Sequence, residues 1–378
     1  MKAVTYQGMK KVKVKEVEDA KIQRKDDILV RITTTAICGS DLHIYHGFVP
    51  GMYDDYVIGH EPMGIVEEVG PDVTRVKKGD RVILPFNVAC GECFYCQNQM
   101  ESQCDNANSA KDTGGYFGYS NTYGGYMGGQ AELLRVPYGN FVPFKIPENA
   151  ELEDEQLLFL SDILPTAYWG VDYGGVKAGD TVIILGCGPV GLLAQKFAWQ
   201  KGAKRVIAVD HVDYRLQHAK NTNNVETFNF EKFDDIKMHL KEITQGGADV
   251  VIDCVGLDAK RTPVETVETA LRMQGGSLSA FNIAVDVVRK FGTIQVVGVY
   301  GLTYNMFPFG SLFERNIQLR MGQAPVIHYM PMLYEQIKSG KIDPTDIITH
   351  RLKLSEAEHA YKVFDKKQEN CIKCILKP

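Results

Sequence analysis

The sequence has no apolar run approaching the roughly 20 residues that span a bilayer, which argues against a membrane protein. It has no surplus of positive charge either: 42 Lys and Arg against 47 Asp and Glu leave a net charge of −5. That balance gives no electrostatic case for nucleic acid or for an anionic membrane surface as a partner. A signal-peptide core is also lacking, since Met1-Lys2-Ala3-Val4-Thr5-Tyr6 enters a strand-like pattern at once. The expected location is therefore the cytoplasm. There, the nine cysteines are expected to be metal ligands or reactive thiols, not disulfides.

What is present is an ordinary globular composition, 44% hydrophobic and 24% charged, in 378 residues. That length suggests two domains. The most informative stretch is Leu185-Gly186-Cys187-Gly188-Pro189-Val190-Gly191. A β-branched run, Thr181 to Leu185, precedes it and reads as a buried parallel strand. After it, Val190, Leu193, Ala194, Phe197 and Ala198 recur at helical spacing up to Gly202, and a second strand, Arg205 to Asp210, closes the unit on an acid. Strand, glycine turn, helix, strand and terminal acid together predict a dinucleotide site. Gly186 allows the tight turn, Gly188 lets backbone approach a pyrophosphate, and Gly191 lets helix and strand pack closely. The helix N-terminus at Pro189 and Val190 offers N–H groups to the phosphates. Asp210 is expected to accept the ribose hydroxyls and repel a 2′-phosphate, favouring NAD over NADP, while Arg215 softens that preference.

Upstream, residues 1 to 35 alternate like antiparallel strands with one wet face. Then Cys38, Ser40, Asp41 and His43 fall in one segment, and Gly59-His60-Glu61 in another about 20 residues on. A thiolate with an imidazole suits a catalytic zinc that keeps one position open. Singly, Cys38 also reads as a small buried hydrophobe and His60 as a turn residue. Cys90-x2-Cys93-x2-Cys96-x7-Cys104 is stronger: four thiolates this close can close a tetrahedral structural zinc site. With no periodic apolar residues around it, that loop would use metal as its substitute for a core. The Gly- and Tyr-rich residues 105 to 130 read as loops.

Taken in order, Cys38-Gly-Ser-Asp, Gly59-His60-Glu61, the four-cysteine segment and Gly186-x-Gly-x-x-Gly resemble the zinc-dependent medium-chain alcohol dehydrogenases over nearly the whole chain. The resemblance implies an α/β fold: a GroES-like β-barrel catalytic domain, split in sequence, plus a doubly wound Rossmann domain. The boundaries it implies are 1–160 for the catalytic domain, with a zinc lobe at about 88–106, then 161–320 for the Rossmann domain, then 321–378 for the return. It implies two zinc ions per chain, NAD, a small alcohol or aldehyde substrate, and a homodimer or homotetramer. Cys38 and His60 match catalytic zinc ligands, and Cys90, Cys93, Cys96 and Cys104 match the structural ones. Ser40 matches the hydroxyl that takes the substrate proton, His43 the histidine that passes it on, and Glu61 an acid close to the metal.

The third catalytic ligand departs from the animal-type enzymes, which have a cysteine there. Here Ser161-Asp162-Ile163-Leu164-Pro165-Thr166 is similar to glutathione-independent formaldehyde dehydrogenases and formaldehyde dismutases, and puts Asp162 at the ligand position. The alternative has Asp162 as a helix-start residue, with Glu61 and water completing the site as in polyol dehydrogenases. Downstream, Ala248 to Gly256, with Val255, reads as a buried strand ending on glycine, and Val297 and Val299 match the segment that meets the nicotinamide carboxamide. Lys373 falls near a basic position that touches the cofactor pyrophosphate. Residues 257 to 291 carry extra length of the kind that covers the cofactor in those formaldehyde enzymes. Cys371-Ile-Lys-Cys374 has zinc-pair spacing, but residues three apart in a strand face opposite sides, so it reads as structural. The resulting expectation is an NAD-dependent zinc dehydrogenase, with substrate reacting where the Asp162 segment adjoins the nucleotide. Formaldehyde dismutation with retained NAD, polyol or threonine oxidation, and an inactive nucleotide-binding protein stand as alternatives.

Overall fold

The computed structural model describes residues 1–256, 277–301, 304 and 307–378. The chain divides into two compact units, Met1–Pro165 with Ala324–Pro378, and Thr166–Gln323. The second unit is thus an insertion in the first. Among the described residues, no helix is long and apolar enough to cross a membrane.

The first unit is built on a seven-stranded sheet. Its order is Ile348–Lys353, Lys373–Lys377, Ile28–Ile37, Glu61–Val69, Arg81–Ile83 and Phe144–Lys145, with Leu133–Val136 also paired to Ile28–Ile37. All pairs are antiparallel except Ile348–Lys353 with Lys373–Lys377. Alternation explains the central strand: Ile28, Val30 and Ile32 enter the core while Arg31 stays exposed. One core cluster joins those residues to Val66, Val82, Leu134 and Val136, and a second gathers Tyr56, Ile37, Tyr361 and Phe364. The wall of the unit is tied at Asp154, whose carboxylate accepts from Thr33 Oγ1 at 2.5 Å, Thr34 Oγ1 at 3.1 Å and Arg81 Nε at 2.9 Å.

The second unit is a six-stranded parallel sheet. Its order is Glu226–Asn229, Arg205–Asp210, Thr181–Leu185, Ala248–Asp253, Val288–Val296 and Gln318–Met321. The order reverses beside Thr181–Leu185, the doubly wound arrangement in which ligands bind outside the carboxyl ends of the strands. The strands are near-continuous apolar runs because both faces are covered: Val182, Ile183 and Ile184 are all fully buried.

Two local expectations change, and a third falls mostly outside the described residues. The apolar run Thr293 to Tyr300 predicts a strand of that extent, but the strand runs from Val288 to Val296, so Val297 and Val299 lie just past its end. The final strand begins only at Lys373 and leaves Cys371 in the preceding turn; the two thiols do not diverge but lie 3.3 Å apart. The expected cofactor-covering length falls mostly on residues 257–276, outside the described residues; the rest is a helix, Ser279–Val287, leading into the strand.

Candidate metal centre and nucleotide site

Cys38 ends the central strand and caps the short helix Gly39–Tyr45. His60 precedes the neighbouring strand Glu61–Val69, and Asp162 follows the 3-10 turn Leu158–Ser161. All three are buried, and one ligand atom from each falls within 4.8 Å of the other two. Cys38 Sγ lies 3.5 Å from Asp162 Oδ2, and His60 Nε2 lies 3.2 Å from the same oxygen. A tetrahedral zinc, with Zn–S of about 2.3 Å and Zn–N or Zn–O of about 2.0 Å, sets separations of about 3.5 Å for S to O and about 3.3 Å for N to O. The donor types and spacing both fit that ion.

Electrostatics agree. Burial alone would push the His60 imidazole down, but Asp41, then Asp162 and Cys38, hold it well above its ordinary value. Burial pushes the Cys38 thiol up, and the negative charges of Glu61 and Asp162 add to it. A cation bound there would have to displace the thiol and imidazole protons.

A supporting shell fixes these groups. The Asp41 carboxylate accepts from His60 Nδ1 at 2.9 Å, from the Cys38 backbone N–H at 2.9 Å and from Gln130 Nε2 at 3.2 Å. With Nδ1 so engaged, His60 turns Nε2 toward Asp162. Tyr361 donates to Gln130 Oε1, and Tyr119 donates to the Ser40 carbonyl while its ring meets His60 edge-on at 5.6 Å. None of Asp41, Gln130, Tyr119 or Tyr361 is assigned a role by sequence reasoning. Only Asp41 leaves a signal there, as an acid at the third helical position after Cys38.

Ser40 and His43 share the helix at a spacing of three, so their side chains lie on one face. Ser40 Oγ is 3.4 Å from Cys38 Sγ and 3.2 Å from His60 Nε2. His43 is buried beside them in the chain. Glu61 is not in the trio. Its Oε2 pairs with the Lys373 ammonium, while Oε1 is buried without a hydrogen-bond partner. Lys373 thus has a neighbour different from the expected pyrophosphate: it is fully buried on Glu61, and although burial pulls its ammonium down, Glu61 and then Cys38 hold it above its usual value.

Cys90, Cys93, Cys96 and Cys104 form a second cluster, with thiols 3.5 Å (93 to 96), 3.8 Å (93 to 104) and 3.9 Å (90 to 96) apart. Zinc in a tetrahedron of sulfurs sets about 3.8 Å. Cys93 and Cys96 are brought together by one helical turn, Phe94–Gln97. The Glu92 and Cys93 backbone N–H groups both donate to Cys90 Sγ. Hydrogen bonding between the Cys96 and Cys104 thiols lowers Cys104 and raises Cys96; a metal would take all four as thiolates. Contrary to expectation the lobe does not lack a core, for Cys96, Cys104 and Ala107 pack with Val88 and Phe117 in the main cluster of the unit.

In the second unit the glycine turn leads into the helix Pro189–Gln200, with Pro189 and Val190 as its first residues. Gly186 has φ +92°, and a Cβ on Gly191 would lie 2.0 Å from the Gly186 oxygen. The protein itself demands both glycines. Gly188 differs: its backbone is extended (φ −71°, ψ 179°), and the nearest atom to an added Cβ is Arg215 Nη1 at 3.8 Å. No packing constraint explains it, so the space it leaves at a helix N-terminus fits a phosphate group. Asp210 already accepts from the backbone N–H groups of Cys187 at 2.6 Å, His211 at 2.6 Å and Val212 at 2.9 Å, pinning the turn. Arg215 is nearly buried, with no partner for its Nε. Val255, Val297 and Val299 come together at the carboxyl ends of adjacent strands; a Cβ on Gly256 would sit 2.5 Å from the Val299 oxygen.

Residues 24–148 match the family model for the alcohol dehydrogenase GroES-like domain, and residues 189–279 the model for zinc-binding dehydrogenases. The chain is 62% identical to the zinc-type alcohol dehydrogenase-like protein AdhB of Bacillus subtilis (strain 168), with 100% of each covered. It is 35% identical to the glutathione-independent formaldehyde dehydrogenase of Pseudomonas aeruginosa (strain LESB58), over 96% of this chain and 94% of that one. Alcohol dehydrogenase TADH from Thermus sp. ATN1 has a similar solved structure, with TM-score 0.85, 34% identity, and coverage of 100% and 99%. The expected fold class, a GroES-like catalytic unit with a doubly wound Rossmann unit, is the one these matches describe.

Proposed function

Because the chain belongs to the zinc-dependent medium-chain alcohol dehydrogenase family, we propose that it oxidises a small primary alcohol or hydrated aldehyde, formaldehyde included, with NAD as hydride acceptor. The observation that carries this is the Cys38, His60 and Asp162 trio, whose spacing suits a zinc with one open position. A zinc ion there supplies Lewis acidity toward the substrate oxygen. The turn Gly186 to Gly191 would hold NAD, which when bound would supply the hydride acceptor.

The residues of the chain do the remainder. Cys38, His60 and Asp162 hold the ion, and Glu61, balanced by Lys373, adds negative charge beside it. Ser40, within hydrogen-bonding distance of the trio, takes the substrate hydroxyl proton, and His43 carries it on from the same helix face. Oxidation of the alcohol to a carbonyl releases one proton, which leaves through Ser40 and His43 to solvent, and one hydride, which bound NAD would accept. Asp210 would favour the ribose diol of NAD, and Val255, Val297 and Val299 would line the nicotinamide end of the site. Cys90, Cys93, Cys96 and Cys104 hold a structural zinc. The exposed Phe309 and Phe313, with Gln318–Met321 as edge strand, support a homodimer or homotetramer formed through this sheet edge.

The test is nicotinamide reduction screened over formaldehyde, short alcohols and polyols, with NAD and NADP in parallel. NADH released steadily on a small primary alcohol or formaldehyde is the expected result. Disproportionation of formaldehyde without NADH release would replace the dehydrogenase reading by a dismutase one. No reduction of either nicotinamide by zinc-replete protein on any substrate would overturn the proposal.

A further inference from the structure

A third group of metal-type donors lies in the first unit, apart from the two already described. His350, Cys371 and Cys374 each offer one ligand atom, all within 4.8 Å of one another. The topology creates the group. His350 and Cys374 are register partners on the adjacent parallel strands Ile348–Lys353 and Lys373–Lys377, so their side chains share a face. Cys371 enters from the turn before the second strand, and both thiols are fully buried.

The imidazole is oriented for coordination. The hydroxyl of Thr349 can donate its one hydrogen to the Lys373 carbonyl at 3.2 Å, and it accepts from the Ile372 N–H at 3.0 Å. His350 Nδ1 lies 2.9 Å from that hydroxyl, a contact that either tautomer of the ring can make. A metal at the other nitrogen, Nε2, would select the tautomer with its proton on Nδ1, as in metal-bound histidines whose second nitrogen is held by a neighbour. A carboxylate stands in front of it: Glu369 Oε2 is 3.6 Å from Nε2, on a side chain 56% exposed and so open to solvent as an entry path.

The distances separate metal from disulfide. The thiols of Cys371 and Cys374 are 3.3 Å apart, well beyond the roughly 2.05 Å of an S–S bond. They need open by only about 0.5 Å to reach the sulfur spacing of a tetrahedral zinc. The four-cysteine lobe has its own thiols at 3.5 to 3.9 Å. The turn that delivers Cys371 holds Lys367, Glu369 and Asn370 at positive φ without a glycine among them, a local strain that a closing metal clip would offset.

We propose that His350, Cys371 and Cys374 form a third, structural zinc site, which clamps the final strand to its neighbour, its fourth position taken by Glu369 when that exposed side chain swings inward. Binding forms two Zn–S bonds, one Zn–N bond and one Zn–O bond, and the two thiol protons pass to solvent. Two thiolates and an imidazole select zinc over the hard cations magnesium and calcium. The site holds the strand in which Lys373 lies between the two cysteines, facing the opposite way toward Glu61.

The test is zinc per chain, measured by mass spectrometry on full-length protein purified with zinc and a non-thiol reductant. Wild type should hold three zinc ions, and Cys371→Ser, Cys374→Ser and His350→Gln should each hold two. His350→Gln leaves both buried thiols in place, so it remains informative if a cysteine variant fails to fold. Two zinc ions in wild type, or three retained in His350→Gln and Cys371→Ser, would overturn the proposal. So would a Cys371–Cys374 disulfide in peptides mapped from protein purified without reductant but with zinc in excess.

Discussion

Replacing Asp41 with Asn tests how far the catalytic trio depends on a residue that would touch neither metal nor substrate. Asp41 is fully buried and serves three donors: His60 Nδ1, the Cys38 N–H and the Gln130 amide. Asparagine has the same shape but only one carbonyl oxygen. If that oxygen faces His60, the new NH2 group meets the Cys38 and Gln130 donors. If it faces those two, the NH2 group meets His60 Nδ1–H and presses the ring toward the tautomer that protonates Nε2. Either way a buried donor goes unmet, at about 1–3 kcal/mol. Losing such an outer partner of a metal-bound histidine typically lowers metal affinity 10- to 100-fold, about 1.4–2.7 kcal/mol. The assay is competition with a chromophoric chelator, reading which zinc leaves and how kcat falls with it. Asp41→Asn should release the trio zinc at lower chelator concentration while the four-cysteine zinc stays. Unchanged affinity at the trio, or equal weakening at both clusters, would refute the reasoning.

Further outcomes follow from the same geometry. Cys38→Ala should lose turnover while keeping its circular dichroism and the lobe zinc; full turnover would remove the zinc mechanism. Gly188→Ala should bind NADH at least about tenfold more weakly with stability changed by less than about 1 kcal/mol, because only the ligand needs that space. Gly191→Ala, with its Cβ 2.0 Å from a carbonyl oxygen, should instead lower the melting temperature whether or not nucleotide is present; equal behaviour of the two variants would count against the assignment. Burial would raise the Asp154 carboxyl, but Thr33 and Arg81 outweigh it and hold it below its usual value. Its stabilisation is therefore present above about pH 3.9 and lost as pH falls through the depressed folded value. Urea unfolding should show Asp154→Asn weaker by roughly 1–3 kcal/mol at neutral pH, with the gap closing in acid; a gap independent of pH would contradict this.

Contiguity decided what was legible in the sequence. Four cysteines within fifteen residues, and three glycines between a strand and a helix, carry their geometry in their spacing, because one turn or one helix start brings them together. Asp162 was readable only through a family resemblance, since 124 residues separate it from Cys38. Gln130, Tyr119 and Tyr361 act through contacts made after the sheet is assembled, and no local pattern marks them. Lys373 and Cys371 show how a boundary governs an inference. Starting the last strand two residues late takes Cys371 out of the alternation and turns two diverging thiols into neighbours. For Lys373, sequence position suggests a phosphate ligand, but the buried acid Glu61 across the sheet has claimed its charge.

The strand Lys373–Lys377 lies in the interior of its sheet, between Ile348–Lys353 and Ile28–Ile37. It is synthesised after the whole of the inserted unit, residues 166–323. On the ribosome, therefore, the inserted unit has all its strands while the first unit still has a gap beside Ile28–Ile37, with Glu61 deprived of Lys373. Domains fold as they emerge, so the nucleotide-binding unit should fold first. The metal-binding unit, begun earlier, should finish later, and a nascent chain stalled before residue 373 should carry an open strand edge that chaperones recognise.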